Sequence, residues 1–186
     1  MNDEQKNFLL RIARDTVECA VKDGHPVKYQ SLDPELTAHC GCFVTLKNHE
    51  RLRGCIGQFV SDIPLYLLVA EMAHLSARGD SRFFSNPITS EELPQLDIEI
   101  SVLSPLKKTD DPLSLRLGID GIYIKKGHHS GCFLPQVADE TGWSKEKFLS
   151  YCCAHKAGLQ PDAWKHKGTE VYLFTAEVFG DFKSIC

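Results

Sequence analysis

Apolar residues recur at helical spacing near the start of the chain, with Phe8, Leu9, Ile12, Ala13, Thr16, Cys19 and Ala20 on one stripe and charges opposite. That spacing predicts an amphipathic helix from residue 3 to about 22, stopped by Asp23-Gly24. From His25 to Ala38, with Pro26 and Pro34, the period is lost and the chain reads as a loop or extended arm. Phe43-Val44-Thr45-Leu46 is rich in strand formers and Lys47-Asn48-His49-Glu50-Arg51 is a polar turn. With Leu52-Arg53-Gly54-Cys55-Ile56-Gly57 they predict a β-hairpin. Asp62 is placed to cap a second helix, whose Leu65, Leu68, Val69, Met72 and Ser76 share a face and which ends near Arg78-Gly79. Residues 80–96 are irregular. Asp97 to Leu103 then alternates strictly, sending Ile98, Ile100 and Val102 toward a core and Asp97, Glu99 and Ser101 to the other face.

Lys107 to Pro112 marks a boundary, after which Leu113–Leu117, Gly121–Lys125 and Gly131–Leu134 read as three short strands joined by turns. Pro135 opens a brief helix through Glu140. Ser144 caps a longer one, with Trp143 and Phe148 spaced for a hydrophobic staple and Gly158 as its stop. Residues 169–179 return as a strand. The breaks near 106 and 166 divide the chain into a large subdomain, about 1–105 plus 167–186, and a smaller inserted one, about 106–166. The pattern therefore predicts an α+β fold, with an antiparallel sheet flanked by helices and a smaller inserted α+β subdomain.

Composition narrows the function classes. A chain of 186 residues with 42% hydrophobic and 25% charged residues is ordinary for a globular protein. A net charge of -4 and the lack of any basic run argue against holding nucleic acid by its phosphates. No stretch approaches the length of a membrane span, and the polar start Met-Asn-Asp-Glu-Gln-Lys is no signal peptide, so a cytoplasmic protein is expected. The eight cysteines include no Cys-x-x-Cys pair and read as reduced thiols. Cys186 is expected among the surface ones.

The hexapeptide at 52–57 carries the candidate chemistry. In an extended segment Leu52 and Ile56 point one way while Arg53 and Cys55 point the other. A guanidinium beside a thiol favours the thiolate, and the glycines leave room for a ligand or another backbone. The competing reading is a buried cysteine acting as a small hydrophobe beside a bulge or tight packing. Glu99 is expected across the sheet from Arg53 and Cys55, either orienting the guanidinium or acting as a base; the alternative is a solvated sheet face.

Other clusters weigh less. His129-x-x-Cys132 and Cys152-x-x-His155 suit zinc by residue type, but no motif joins the two halves, and no metal is expected. His39-Cys40-Gly41-Cys42 reads as a strand of small residues, Asp80 and Arg82 as a pair that holds a loop, and His128-His129 as a solvated hairpin tip. Gly118-x-x-Gly121 lacks the spacing of either phosphate-binding fingerprint, and no cofactor is expected.

The hexapeptide, Cys42-Phe43-Val44-Thr45-Leu46, Asp80-Ser81-Arg82-Phe83, Ile98 to Pro105, Leu134-Pro135-Gln136-Val137-Ala138 and Lys156-Ala157-Gly158-Leu159 together resemble the AMMECR domain family. They stand in the family's order over nearly the whole chain. More narrowly, the chain resembles the A component of AmmeMemoRadiSam systems, whose companions are Memo-like and radical SAM proteins. The resemblance implies two unequal subdomains with the hexapeptide facing a cleft between them. The catalytic candidates are Cys55, as nucleophile or metal ligand, Arg53 as its charge partner and Glu99 as candidate base, and the family match at Glu99 and Ser101 strengthens the last. Substrate-binding candidates are Gly54, Gly57, Asp80, Arg82, Ser101 and Gln136. Two function classes stay open: a small enzyme acting on a peptide, protein or small-molecule substrate, and a non-catalytic peptide- or protein-binding adaptor.

Overall fold

The computed structural model describes residues 1–25 and 28–182; Pro26 of the arm and Cys186 lie outside the described residues. Helix α1 (Asp3–Val21) starts with a capping box, in which Asn2 Oδ1 accepts from Gln5 N at 2.9 Å and Gln5 Oε1 accepts from Asn2 N at 2.8 Å. Its stripe buries Leu9, Ile12, Ala13, Val17 and Val21. Strands β1 (Cys42–Asn48) and β2 (Arg51–Gln58) pair antiparallel. Their two-residue turn holds His49 and Glu50 at φ 47° and 64°, the left-handed conformation that suits the twist of a tight hairpin.

Helix α2 (Leu65–Arg78) is not capped by Asp62. Pro64 holds the cap position and offers no side-chain acceptor, so the open N–H groups of Leu65 and Tyr66 turn to the carbonyls of Ala38 and Leu36, at 3.0 and 3.1 Å. Strands β3 (Leu96–Leu103) and β8 (Ala176–Asp181) complete a sheet of order β2-β1-β3-β8. Cys42, Val44 and Leu46 of β1 and Leu96, Ile98 and Ile100 of β3 are fully buried in one core with α1 and α2. Val102 lies partly buried at its margin. Residues 1–102 and 177–186 form this first compact unit. Its ends are tied by the amino terminus and Lys6 to Glu177, at 3.1 and 2.8 Å, and by Arg14 to Asp181 at 2.7 Å.

Residues 103–176 form the second unit. Strands β4 (Lys107–Thr109), β5 (Gly121–Lys126), β6 (His129–Phe133) and β7 (Glu170–Phe174) give a sheet of order β4-β7-β5-β6. Helices α3 (Gln136–Thr141) and α4 (Lys145–His155) belong to it, and Ile122, Ile124, Phe148, Leu149, Cys152 and Val171 are buried in its own core. Ser144 caps α4, its Oγ accepting from Lys147 N at 3.3 Å. Trp143 and Phe148 both pack on Phe133, with ring centroids 6.1 and 5.2 Å away.

Two strand expectations change. The segment 113–117 is not a strand: Asp111 Oδ1 accepts from Leu113 N and, with Pro112, starts a short 3-10 turn, while the pairing strand is the charged Lys107–Thr109. The single strand expected over 169–179 breaks at Thr175, and its halves join different sheets. The fold is α+β with two sheets, and among the described residues no helix is long and apolar enough to cross a membrane.

Candidate functional site

The register of the first sheet aligns Cys55 with Thr45, and Thr45 with Glu99. Cys55 and Glu99 therefore share the face opposite the core, two strand spacings or about 10 Å apart. The core face fixes this arrangement, because Gly54, Leu46 and Ile98 align in the neighbouring row and a one-residue slip would expose the buried set. The Thr45 hydroxyl donates to Cys55 Sγ at 3.3 Å. Phe43, with Gly57 and Ser101 as its partners, forms the next row on the same face, and Ser101 is buried there.

Both glycines of the hexapeptide serve packing. A Cβ on Gly54 would lie 2.0 Å from the backbone oxygen of Ser76, where α2 crosses β2. A Cβ on Gly57 would lie 2.3 Å from the Phe43 ring. Of the ligand or backbone expected to approach them, it is the backbone of α2 that closes on Gly54 and an aromatic ring that covers Gly57. Ser76 seals the first contact, its Oγ accepting from Ile56 N at 2.9 Å and donating to Val44 O at 2.8 Å.

Arg53 departs from simple alternation. Pairing jumps from Leu46 with Gly54 to Lys47 with Leu52, which leaves Arg53 as the extra residue of a β-bulge. Its side chain is 3% exposed and forks onto Glu92, with Nε to Oε1 and Nη2 to Oε2 both at 2.9 Å. Nη2 also donates to the carbonyls of Asn86 and Pro87 at 3.2 and 3.1 Å. The carboxylate that orients this guanidinium is thus Glu92 and not Glu99, whose Oε2 lies 3.8 Å from Lys47 Nζ. Glu92 sits in the irregular stretch before β3, where no periodicity singles it out. Burial works against its charge, yet bonds from Arg53, Thr89 N and Asn48 outweigh that and hold its carboxyl below the usual range.

The cation bonded to Cys55 is Arg82. Cys55 turns its backbone toward the open edge of the sheet, N–H to Asp80 Oδ2 at 3.0 Å and C=O to Arg82 Nη2 at 3.2 Å. Arg82 is clamped in turn by Asp80, Nε to Oδ1 at 2.9 Å and Nη2 to Oδ2 at 2.6 Å. An exposed strand edge is thereby closed with side chains. The pair is asymmetric, with the Asp80 side chain 4% exposed and the Arg82 side chain 55% exposed. Arg82 first, then the N–H groups of Cys55 and Arg82, lower the Asp80 carboxyl, while Asp80 raises the guanidinium and the Cys55 sulfur adds to that. The loop-holding pair expected from the sequence is there, and it also reaches the thiol's own peptide groups.

Gln136 is elsewhere, at the first residue of α3 in the second unit, with Oε1 buried and unbonded. Of the residues weighed for zinc, Cys152 is buried near Cys132, while the His155 ring is tilted against Tyr151 at 5.0 Å and His129 lies beside Gly158. Among the described residues no three of His, Cys, Asp or Glu gather as a metal site needs.

The sequence profile of the AMMECR1 family matches residues 10–179. A protein of Thermococcus onnurineus is 40% identical over 190 residues, covering 96% of this chain and 91% of that one. Protein MK0488 of Methanopyrus kandleri is 38% identical over 186 residues, covering 95% of this chain and 88% of that one. The crystal structure of the uncharacterised protein PH0010 from Pyrococcus horikoshii superposes with a TM-score of 0.87 at 39% identity, covering 97% of this chain and 93% of that one.

Proposed function

The chain belongs to the AMMECR1 family, and on that premise we propose that the sheet face centred on Cys55 binds a small anionic substrate through Arg82 and presents the thiol to it as a nucleophile. The observation that carries this reading is the unequal exposure of the clamp. A buried carboxylate fixes the guanidinium beside Cys55, yet more than half of the Arg82 side chain faces solvent. Closing a strand edge needs no such exposed cation, whereas docking a carboxylate or phosphate does.

With an activated ester or thioester as substrate, Sγ bonds to the carbonyl carbon. The bond to the leaving group breaks and the thiol proton ends on that group. Thr45 steadies the sulfur, and Glu99, on the same face and not spent on an arginine, serves as the proton relay through water. Arg53 acts on the site only by positioning β2. Turnover of a small-molecule extract by the wild-type chain with its Memo-like and radical SAM companions, compared with Cys55→Ser, tests the reading. Loss of turnover with companion binding intact supports it; unchanged turnover refutes it.

A second reading rests on Phe84, 64% exposed and two residues beyond Arg82. An exposed ring beside an oriented arginine suits a peptide or protein partner, and the chain then acts as a cytoplasmic adaptor for those companions. Loss of companion binding on Phe84→Ser, with Cys55→Ser silent, favours it.

A further inference from the structure

The second unit repeats the device of a buried aspartate orienting an exposed arginine, at a place the Cys55 site does not use. Asp120, 7% exposed, accepts from Arg116 N and Nε through Oδ2 at 2.8 and 2.9 Å and from Nη2 through Oδ1 at 2.7 Å, while the Arg116 side chain is 62% exposed. Its Nη1 makes no hydrogen bond among the described residues. Arg116 lines a pocket of about 370 Å³, a size typical of small-ligand sites, together with Lys107, Lys108, Ser104, Thr175 and the apolar wall of Leu173 and Phe174. Every one of these residues belongs to the second unit.

Sorting the donors decides what the pocket can hold. Lys108 is spent on Glu170 at 2.5 Å. Ser114 and Thr109, also in the wall, give their hydroxyl protons to Asp111 O at 2.6 and 3.0 Å. The Lys107 ammonium has neither a hydrogen bond nor an ion pair among the described residues, and the Thr175 hydroxyl is equally unspent. Ser104 Oγ is anchored by Thr175 N at 2.9 Å, while its own donation to Pro105 O is long, at 3.4 Å, and free to turn. Four residues with donors to offer therefore line the pocket, two of them cationic, from β4, from the loop at 116 and from residues 104 and 175. The acid in the wall is buried and spent on Arg116. Residues 103–176 as a whole hold more Lys and Arg than Asp and Glu, the reverse of the chain.

We propose that this pocket is a binding site for a phosphate monoester, with the phosphate on Lys107 Nζ, Arg116 Nη1 and the hydroxyls of Ser104 and Thr175, and the organic part against Leu173 and Phe174. A tetrahedral phosphate has three terminal oxygens for donors that arrive from separate directions; a planar carboxylate has two. The site differs from a phosphate-binding loop in using side chains on a sheet edge instead of a glycine-rich backbone.

Titration of the full chain with phenyl phosphate, benzoate and benzyl alcohol, followed by backbone amide chemical shifts at low ionic strength, tests it. Phenyl phosphate should shift residues 104–109, 116 and 173–175, at least tenfold more tightly than benzoate, with no such shifts from benzyl alcohol. Lys107→Gln removes an uncommitted side chain, so its fold is kept, and binding should weaken about tenfold. Arg116→Lys, which keeps a charge for Asp120 but loses the fork, should weaken it as well. No shifts in these segments up to about 10 mM, benzoate binding as tightly, or both variants binding like wild type would each overturn the proposal.

Discussion

Arg53 and Arg82 are the two arginines held near Cys55 by hydrogen bonds, and their surroundings give them opposite tasks. Arg53 is buried in four bonds to Glu92 and to backbone carbonyls, so removing it leaves buried acceptors without a donor. Arg53→Met is expected to cost about 3 kcal/mol in urea unfolding. The alkylation rate of Cys55 in the folded fraction should stay unchanged. Asp80 links stability to pH. Its folded carboxyl lies below the ordinary 3.8, chiefly through Arg82, so the clamp contributes fully above the unfolded value and is lost as pH falls through the folded one. Wild type should therefore lose stability more steeply than Asp80→Asn between about pH 4 and pH 2, and parallel slopes would contradict this. The sequence shows the Asp80–Arg82 pair because its members are two residues apart. It hides the Arg53–Glu92 pair for two reasons: a bulge adds a residue that alternation does not count, and the acid lies in a stretch without a period.

At the scale of elements, strong periods were readable and exceptions to them were not. The stripe of α1 and the alternation of β1 and β3 set the core face, and with it the shared face of Cys55, Thr45 and Glu99. Tertiary partners replace the local signals at two places. The start of α2 is satisfied by carbonyls some thirty residues upstream instead of by Asp62, and the sheet change at Thr175 leaves no mark in the pattern of residues 169–179. Gly54 and Gly57 suit both a close-approaching ligand or backbone and tight packing, and the structure takes the packing reading at both. Gly54→Ala forces a methyl into the Ser76 backbone and should cost about 3 kcal/mol, lowering the melting temperature by many degrees. Gly127→Ala, at φ 59° with nothing within 4 Å, should cost only about 1 kcal/mol. Equal losses in thermal melts would show that the crossing of α2 and β2 is not tight.

The described residues hold two separate cores, and residues 103–176 enter in sequence between β3 and β8. A fragment of residues 103–176 should give a dispersed amide spectrum alone. A fragment of residues 1–102 should not, since it lacks β8 and the Glu177 and Asp181 partners of Met1, Lys6 and Arg14. In the intact chain all thiols compete, and burial pushes those of Cys40, Cys42, Cys152 and Cys153 up, which slows them. Cys55 differs in having Arg82 beside it, which gives the most direct test of the proposed anion-binding thiol. The rate of Cys55 alkylation by anionic iodoacetate, relative to neutral iodoacetamide, should exceed that of a free cysteine roughly fivefold, the equivalent of about 1 kcal/mol of local attraction. Arg82→Lys should keep most of that preference and Arg82→Gln should abolish it. A ratio equal to that of free cysteine in the wild-type chain, or one unchanged in Arg82→Gln, would contradict the account.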